Sequence, residues 1–386
     1  GSQGVRVLIN GKPSSMMGIS SAEALRYFPA NQIDRVEVIT NPSAKYEAQG
    51  TAGIINIILK EDLQWGLNGT FTTEVGMPRD HNASVNMNYR RKWYNVFGRY
   101  NFNIDRNPGG GWREQTFNYP DTTYSLRSVT DRSRGGINHI FQFGSDFFIT
   151  PNDVLQINGV ASIGDEDNFT DITYYDYSDT RIHPEDLVGR TIRNDHEVED
   201  EGNYELNLSY EKSFKQEDHK LRAIFQGRTS IEVEDADLVQ REGLPGEALD
   251  TTLFQHSLND TEVKAYLAQI DYTLPIGEEG KFETGLRTEY RRIRNIFQVE
   301  QRESANDPWD LLENFSNTFR YNELVYGMYA MYSNEIGKLS YQGGLRLEFT
   351  GIETLLVTTS EANDRSYLNL FPSMALSYEL NDFNSI

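Results

Sequence analysis

From Trp65 onward, apolar and polar side chains alternate with period two through segment after segment, the pattern of β-strands with one face apolar and the other wetted. Leu67, Gly69, Phe71, Thr73 and Val75 take one face; Asn68, Thr70, Thr72 and Glu74 take the other. Ala83, Val85, Met87 and Tyr89 oppose Ser84, Asn86, Asn88 and Arg90, and Tyr94, Val96, Gly98, Tyr100 and Phe102 oppose Asn95, Phe97, Arg99 and Asn101. The parity persists through Ile137–Ile149 and Tyr204–Tyr210, and as late as Leu339, Tyr341, Gly343, Leu345, Leu347 and Phe349. A soluble antiparallel sandwich also alternates. Three features favour the wall of a transmembrane barrel instead. The segments approach the ~9–11 residues that a tilted strand needs to cross hydrocarbon. Aromatic rings stand at segment ends, as in interfacial girdles. Connections alternate between short (151–153, 215–219, 277–280) and long and charged (107–135, 182–195, 235–261, 298–320). Counting from Trp65 to Leu380 predicts about twelve strands. Residues 381–386 read as a turn and the start of another strand, and since an open edge is untenable in lipid, the expectation is part of a larger barrel.

The first sixty residues have a different texture. Val5–Ile9 reads as a short strand ending at the turn Asn10-Gly11-Lys12-Pro13, and Ser21 is placed to cap a helix running toward Phe28. Ile33–Ile39 alternates until Asn41-Pro42 stops it, and Ile54–Leu59 is nearly continuous and β-branched, as in a strand covered on both faces. These predict a small α+β unit.

Composition narrows the function. With 58 acidic and 36 basic side chains the formal charge is −22, which argues against nucleic acid as a partner. No apolar run approaches the ~20 residues of a spanning helix. The chain is 12% aromatic, too rich for disorder, and cysteine is absent, which removes disulfides and thiolate chemistry. No signal peptide precedes Val5, an absence that carries no information about location because the opening Gly1-Ser2-Gln3-Gly4 can be an arbitrary cut through a longer chain.

The run Ile33-Asp34-Arg35-Val36-Glu37-Val38-Ile39, then Asn41-Pro42-Ser43-Ala44-Lys45-Tyr46, then Gly50-Thr51-Ala52-Gly53-Ile54-Ile55-Asn56-Ile57-Ile58-Leu59-Lys60, resembles the end of the plug of TonB-dependent outer-membrane receptors. Order, spacing and passage into a barrel all match. The chain looks most like the Bacteroidota outer-membrane β-barrel branch, as does Asn369-Leu370-Phe371-Pro372-Ser373 before a further strand. Two positions depart from the family pattern: Asn41 stands where Gly is common before the Pro, and Glu47 where Gly follows the Tyr. The resemblance implies the C-terminal part of a plug over residues 1–61 and the first portion of a roughly 22-strand barrel over 62–386. It also implies outer-membrane localisation among outer-membrane lipid, energised uptake of a scarce bulky ligand (siderophore, glycan or peptide), and a TonB-type inner-membrane energy coupler acting through a more N-terminal segment. Its signature and plug–barrel contact residues would be Arg35, Glu37, Asn41, Pro42, Tyr46, Gly50, Gly53 and Asn56.

Each constellation has a plainer alternative. Arg35 and Glu37 share a strand face and are either a latch against the barrel wall or an ordinary pair contributing about 0.2–1 kcal/mol. Inward Arg90, Arg99, Arg287, Arg291, Arg346, Glu74, Glu289 and Glu348 would be the latch partners. Acidic stretches at 165–167, 196–201 and 232–237, read as loops, suggest calcium, but the EF-hand spacing fails and a solvated acidic surface is favoured. The stretch Asn107–Arg113, with Trp112, Arg113, Phe117, Tyr119 and Tyr124, is either a ligand-facing loop or rings packed on themselves. For an outer-membrane hydrolase, His139 lies on the lipid-facing row, and His81, His183, His196, His219 and His256 fall in turns or loops without nucleophile spacing. No metal-ligand spacing, cofactor pattern or phosphate loop is present, so no enzyme is expected. A barrel that senses or adheres without transporting is the alternative to transport; a hydrolase is third.

Overall fold

The structure, a computed structural model, describes residues 5–9, 12–13, 33–39, 53–59, 66–120, 123–178, 187–381 and 384–385. Strands β1 (Val5–Ile9), β2 (Lys12–Pro13), β3 (Ile33–Ile39) and β4 (Gly53–Leu59) form one sheet in the order β2-β1-β4-β3. β1 and β2 close the predicted hairpin, with Ile9 opposite Lys12. β4 is central, parallel to β1 and antiparallel to β3, and its apolar run is interrupted at Asn56. The helix expected from Ser21 to Phe28 lies outside the described residues.

The remainder is one antiparallel sheet of β5 (Gly66–Gly76), β6 (Asp80–Arg90), β7 (Tyr94–Asp105), β8 (Asn107–Asn118), β9 (Thr123–Arg134), β10 (Gly136–Thr150), β11 (Asp153–Tyr177), β12 (Leu187–Ser213), β13 (Lys220–Gly243), β14 (Asp250–Ile276), β15 (Gly280–Arg302), β16 (Asp310–Leu311), β17 (Asn317–Ile336), β18 (Leu339–Leu356), β19 (Glu361–Asn381) and β20 (Asn384–Ser385). Its continuous path contains β5–β7, β10–β15 and β17–β20; β8, β9 and β16 lie off it. Setting aside the two-residue β20, that path has the twelve strands expected. Every neighbour is the next path strand in sequence, an up-and-down meander.

Burial is inverted relative to a soluble sheet. Leu67, Phe71, Phe143, Leu286, Met328 and Leu345 are exposed, whereas Gln269, Asp271, Arg287, Arg346, Glu348 and Thr350 are buried. The apolar rows therefore face outward as a belt, and the polar rows face inward. Aromatic side chains bracket the belt. On one side Tyr266 lies opposite Tyr290 and Tyr326 opposite Phe349, with ring centroids 6.4 and 6.5 Å apart. On the other, Tyr332 and Tyr341 are 6.2 Å apart and Tyr272 bonds His219 at 2.8 Å. From Tyr266 to Tyr272 and from Tyr341 to Phe349 the band spans six to eight residues, roughly 20–27 Å along a strand. The turns beside the second ring row are tight. In one, Ile336 pairs with Leu339 across Gly337-Lys338, and Gly337 takes φ +62°, a conformation that side chains with a Cβ adopt only under strain.

Most of the described part of the long charged connections is strand. β13 continues to Gly243 and β14 begins at Asp250; β15 runs to Arg302 and β17 starts at Asn317; residues 107–118 and 123–134 form the β8–β9 hairpin, whose β9 pairs with the far end of β11. β12 already includes residues 187–195. The sheet thus extends well beyond the belt on that side. Past the membrane both faces meet water, so the alternation that marks a strand in the sequence disappears while backbone pairing continues. The acidic stretches at 165–167, 196–201 and 232–237 are accordingly strand, in β11, β12 and β13.

Candidate functional site

In the small sheet, Glu37 stands opposite Asn56. Arg35 Nε donates to Glu37 Oε1 at 2.9 Å and Asn56 Nδ2 to Glu37 Oε2 at 2.8 Å, and Asp34 takes a further Arg35 bond at 3.1 Å. The Asn56 bond first, and then Arg35, holds the Glu37 carboxyl below its ordinary range; Glu37 and Asp34 raise Arg35 in turn. Gly53 opens β4 opposite Val5. Asn41, Pro42, Tyr46 and Gly50 lie outside the described residues.

Six of the eight inward charges expected as latch partners make side-chain contacts within the wall, while Arg99 is part-buried with its Nε without a hydrogen bond among the described residues. Arg287 meets Glu289, Arg291 meets Glu323 at 2.7 Å, Arg346 meets Glu348 at 2.8 Å, and Arg90 lies over the Phe148 ring. Around them is a buried polar layer that the alternation of single strands does not reveal. Tyr329 donates to Asp271 at 2.7 Å, Gln269 bonds Asp271 at 2.9 Å, and Arg287 reaches Gln269 at 3.2 Å. The available signal was the run of Gln, Asp, Arg and Glu at inward parity beside small Gly285 and Gly327, across which Tyr329 and Arg346 lie.

Beyond the belt, the inner face of β11–β13 carries an acid ladder. Glu166 lies opposite Glu199, Glu199 opposite Glu234, and Glu201 opposite Glu232. Carboxylate oxygens of Glu199, Glu232 and Glu234 lie within 4.8 Å of one another, all three half-buried. Asn168 donates to Glu197 at 3.1 Å and Asn259 to Glu234 at 2.8 Å. Burial, then repulsion from Glu166, Glu232, Glu234 and Glu201, pushes the Glu199 carboxyl up to about 7. A raised folded-state pKa means that the folded wall binds the proton more tightly than the unfolded chain does. Its stability is greatest below the ordinary carboxylate value and is lost as pH rises through about 7. Hydrogen exchange in segments 195–205 and 228–236, corrected for intrinsic rates, is expected to be slower at pH 5 than at pH 8. Glu199→Gln should remove much of that difference; an unchanged pH dependence in the variant would assign the effect elsewhere.

The β8–β9 hairpin distributes the aromatic set between two faces. Phe117 pairs with Tyr124, their rings stacked at 4.7 Å, and Tyr119 stacks on Tyr124 at 6.0 Å. Following the register from β11, these rings and Arg113 share the inward parity of the acid ladder. Trp112 has the outward parity, 67% exposed, with Arg127 over its ring at 5.9 Å.

Three histidines expected in turns or loops are in strands: His81 in β6, His196 in β12 and His256 in β14. His183 lies outside the described residues, and His219 is in the 214–219 turn. His139, on the lipid-facing row as expected, bonds Tyr100 at 2.9 Å. His196 bonds Asp167 at 2.7 Å and stacks on Phe169, and His256 bonds Asp237 at 3.0 Å.

Residues 1–54 match the TonB-dependent Receptor Plug Domain and residues 212–386 match the Outer membrane protein beta-barrel family. Among solved structures, the chain is similar to the unliganded ferric citrate transporter FecA (10% identity, 98% of this chain and 73% of that one, TM-score 0.32). It is also similar to the ferric yersiniabactin uptake receptor FyuA from Yersinia pestis (8%, 99% and 75%, TM-score 0.31) and to BauA, the ferric preacinetobactin receptor from Acinetobacter baumannii (9%, 98% and 68%, TM-score 0.26). A receptor plug at its start, leading into an antiparallel outer-membrane barrel with apolar rows outward and charged rows inward, makes this chain a TonB-dependent outer-membrane receptor.

Proposed function

We propose that this receptor captures a bulky ligand on the inner face of its extracellular wall and passes it inward when a TonB-type inner-membrane partner pulls on the plug, performing no chemistry on the ligand. Residues 1–61 serve as plug and 62–386 as barrel wall in this reading. Arg35, Glu37 and Asn56 form a rigid charged unit on the plug that breaks and re-forms contacts with the wall. The observation that carries the ligand reading is the coincidence, on one inward face, of the Phe117–Tyr124–Tyr119 stack and the acid ladder of Glu199, Glu201, Glu232 and Glu234. Flat rings stack on a sugar, a peptide side chain or a chelate, and the carboxylates favour a ligand carrying cationic or hydrogen-bond donor groups. A siderophore, a glycan and a peptide each meet that description.

The ligand is to be identified by mass spectrometry of the receptor purified from its membrane. Uptake is then measured in cells limited for that compound. Phe117→Ala with Tyr124→Ala is expected to weaken capture about tenfold, since each aromatic contact contributes roughly 0.5–1.5 kcal/mol. Outward Trp112→Ala should leave it near wild type. Equal effects from both would remove the hairpin's inner face from the binding surface.

A further inference from the structure

We infer that the outward face of β14, β15 and β17, immediately above the ring row of Tyr266, Tyr290 and Tyr326, binds the phosphate-bearing headgroup of an outer-leaflet lipid. Depth comes first. Tyr266 and Tyr290 lie opposite each other as exposed outward rings, and such a row marks the level at which hydrocarbon gives way to headgroups. Two residues further along each strand, on the same face, Lys264 stands directly opposite Arg292. The next step places Arg294 opposite Arg320. Four cations thus occupy two successive rungs beyond the rings, Lys264 and Arg292 two residues from the ring on their own strand, Arg294 four and Arg320 six.

Directly opposed like charges destabilise a sheet unless an anion lies between them. Two of the local acids are already paired. Lys264 pairs with Glu262 at 2.6 Å and Arg294 with Asp260 at 3.3 Å, and Lys264, Arg294 and Arg292 together hold the Glu262 carboxyl below its ordinary range. Glu353, on the neighbouring strand, is engaged by Asn322 at 3.5 Å. Arg292 and Arg320, both exposed, make no ion pair among the described residues. Further along the sheet the outward face of β11–β13 presents Asp165, Asp200 and Asp235, one and two rungs beyond that of Arg294, so the cationic patch is local in a chain of net charge −22. A phosphate monoester has the charge and the three acceptor oxygens to bridge two planar guanidinium forks, and a lipid anchors it at this depth.

Native mass spectrometry of the receptor in a non-ionic detergent tests it, with diphosphoryl lipid A, dephosphorylated lipid A and inorganic phosphate as probes. Diphosphoryl lipid A should be retained and the dephosphorylated form released. Arg292→Gln with Arg320→Gln should weaken retention about tenfold or more, the scale of one lost charge-assisted contact. Lys281→Gln with Lys338→Gln, an equal charge change at the opposite rim, should not. Equal losses in the two pairs, or equal retention of the two lipids, overturn the inference. So does complete displacement by inorganic phosphate at the lipid's concentration, which would make this a free-phosphate site. Should the Gln pair fail to assemble, Arg292→Lys with Arg320→Lys keeps the charge but not the forked geometry. Retention below wild type then supports the site, and retention equal to wild type overturns it.

Discussion

Leu345→Arg and Phe143→Lys are each expected to block assembly of the barrel, at a cost of about 2–4 kcal/mol, because both side chains sit near mid-depth of the lipid-facing belt. Leu345 lies on β18 midway between Tyr341 and Phe349, which belong to the two opposite ring rows, and is 47% exposed. Phe143 on β10 is 58% exposed, midway between His139 and Phe147. An ammonium or guanidinium there has only acyl chains around it, and neither rim is near enough for the side chain to reach water without distortion. That cost is a large part of the ~5–15 kcal/mol by which folded proteins are typically stable. The matching changes on the inward face, Gln342→Arg and Gln142→Lys, are expected to be mild. Gln342 already faces inward, its amide on the Met331 sulfur at 2.8 Å. The measurement is the folded fraction in isolated outer membranes, read from heat-modifiable electrophoretic mobility. Equal tolerance at the outward and inward positions would show that the two faces have been exchanged.

That face assignment was legible in the sequence because lipid imposes a demand on every second residue. Where hydrocarbon surrounds the sheet, a polar outward residue is costly, so the row from Leu339 to Phe349 declares itself one strand at a time. The same logic recovered β1, β3 and β4, whose patterns are local. It failed where the demand ends. Glu197, Glu199 and Glu201 on β12 look like a solvated loop because water wets both faces of the extended wall and nothing forces alternation. Trp112 and Phe117 stand in the sequence as one aromatic group, ligand-facing or self-packed, but they have opposite parity on β8, and their facing follows only from the register of β9 on β11. The inward polar layer was illegible for a related reason. The Tyr329–Asp271 bond joins residues 58 apart, and composition does not announce which inward Tyr meets which inward Asp across an intervening glycine. Single-strand patterns report the solvent on each face; contacts within a face depend on register.

Arg346→Met is the inward change expected to do the greatest harm, destabilising the barrel by about 3–5 kcal/mol, because it leaves the Glu348 carboxylate buried without its partner. Arg346 is 1% exposed and Glu348 2%. Both Nε and Nη2 of Arg346 donate to Glu348 Oε2, at 2.9 and 2.8 Å, whereas Nη1 makes no hydrogen bond among the described residues. The guanidinium fits only because Gly327 on the neighbouring strand has no side chain. A Cβ there would stand 2.5 Å from Nη2 and 2.9 Å from Cζ. Gly327→Ala should therefore push Arg346 off its carboxylate and reproduce part of the loss, while in the Arg346→Met background the same alanine should cost much less. The introduced methionine would be a flexible apolar neighbour with no bond to break. Replacing both charges, Arg346→Met with Glu348→Leu, should recover most of the stability, since a buried ion pair is harmful chiefly when half of it is removed. Urea unfolding of the wild type, the three single variants and the two doubles measures both couplings. Strict additivity in the Gly327–Arg346 cycle would mean that the glycine serves the strand's own backbone and not the charge pair beside it.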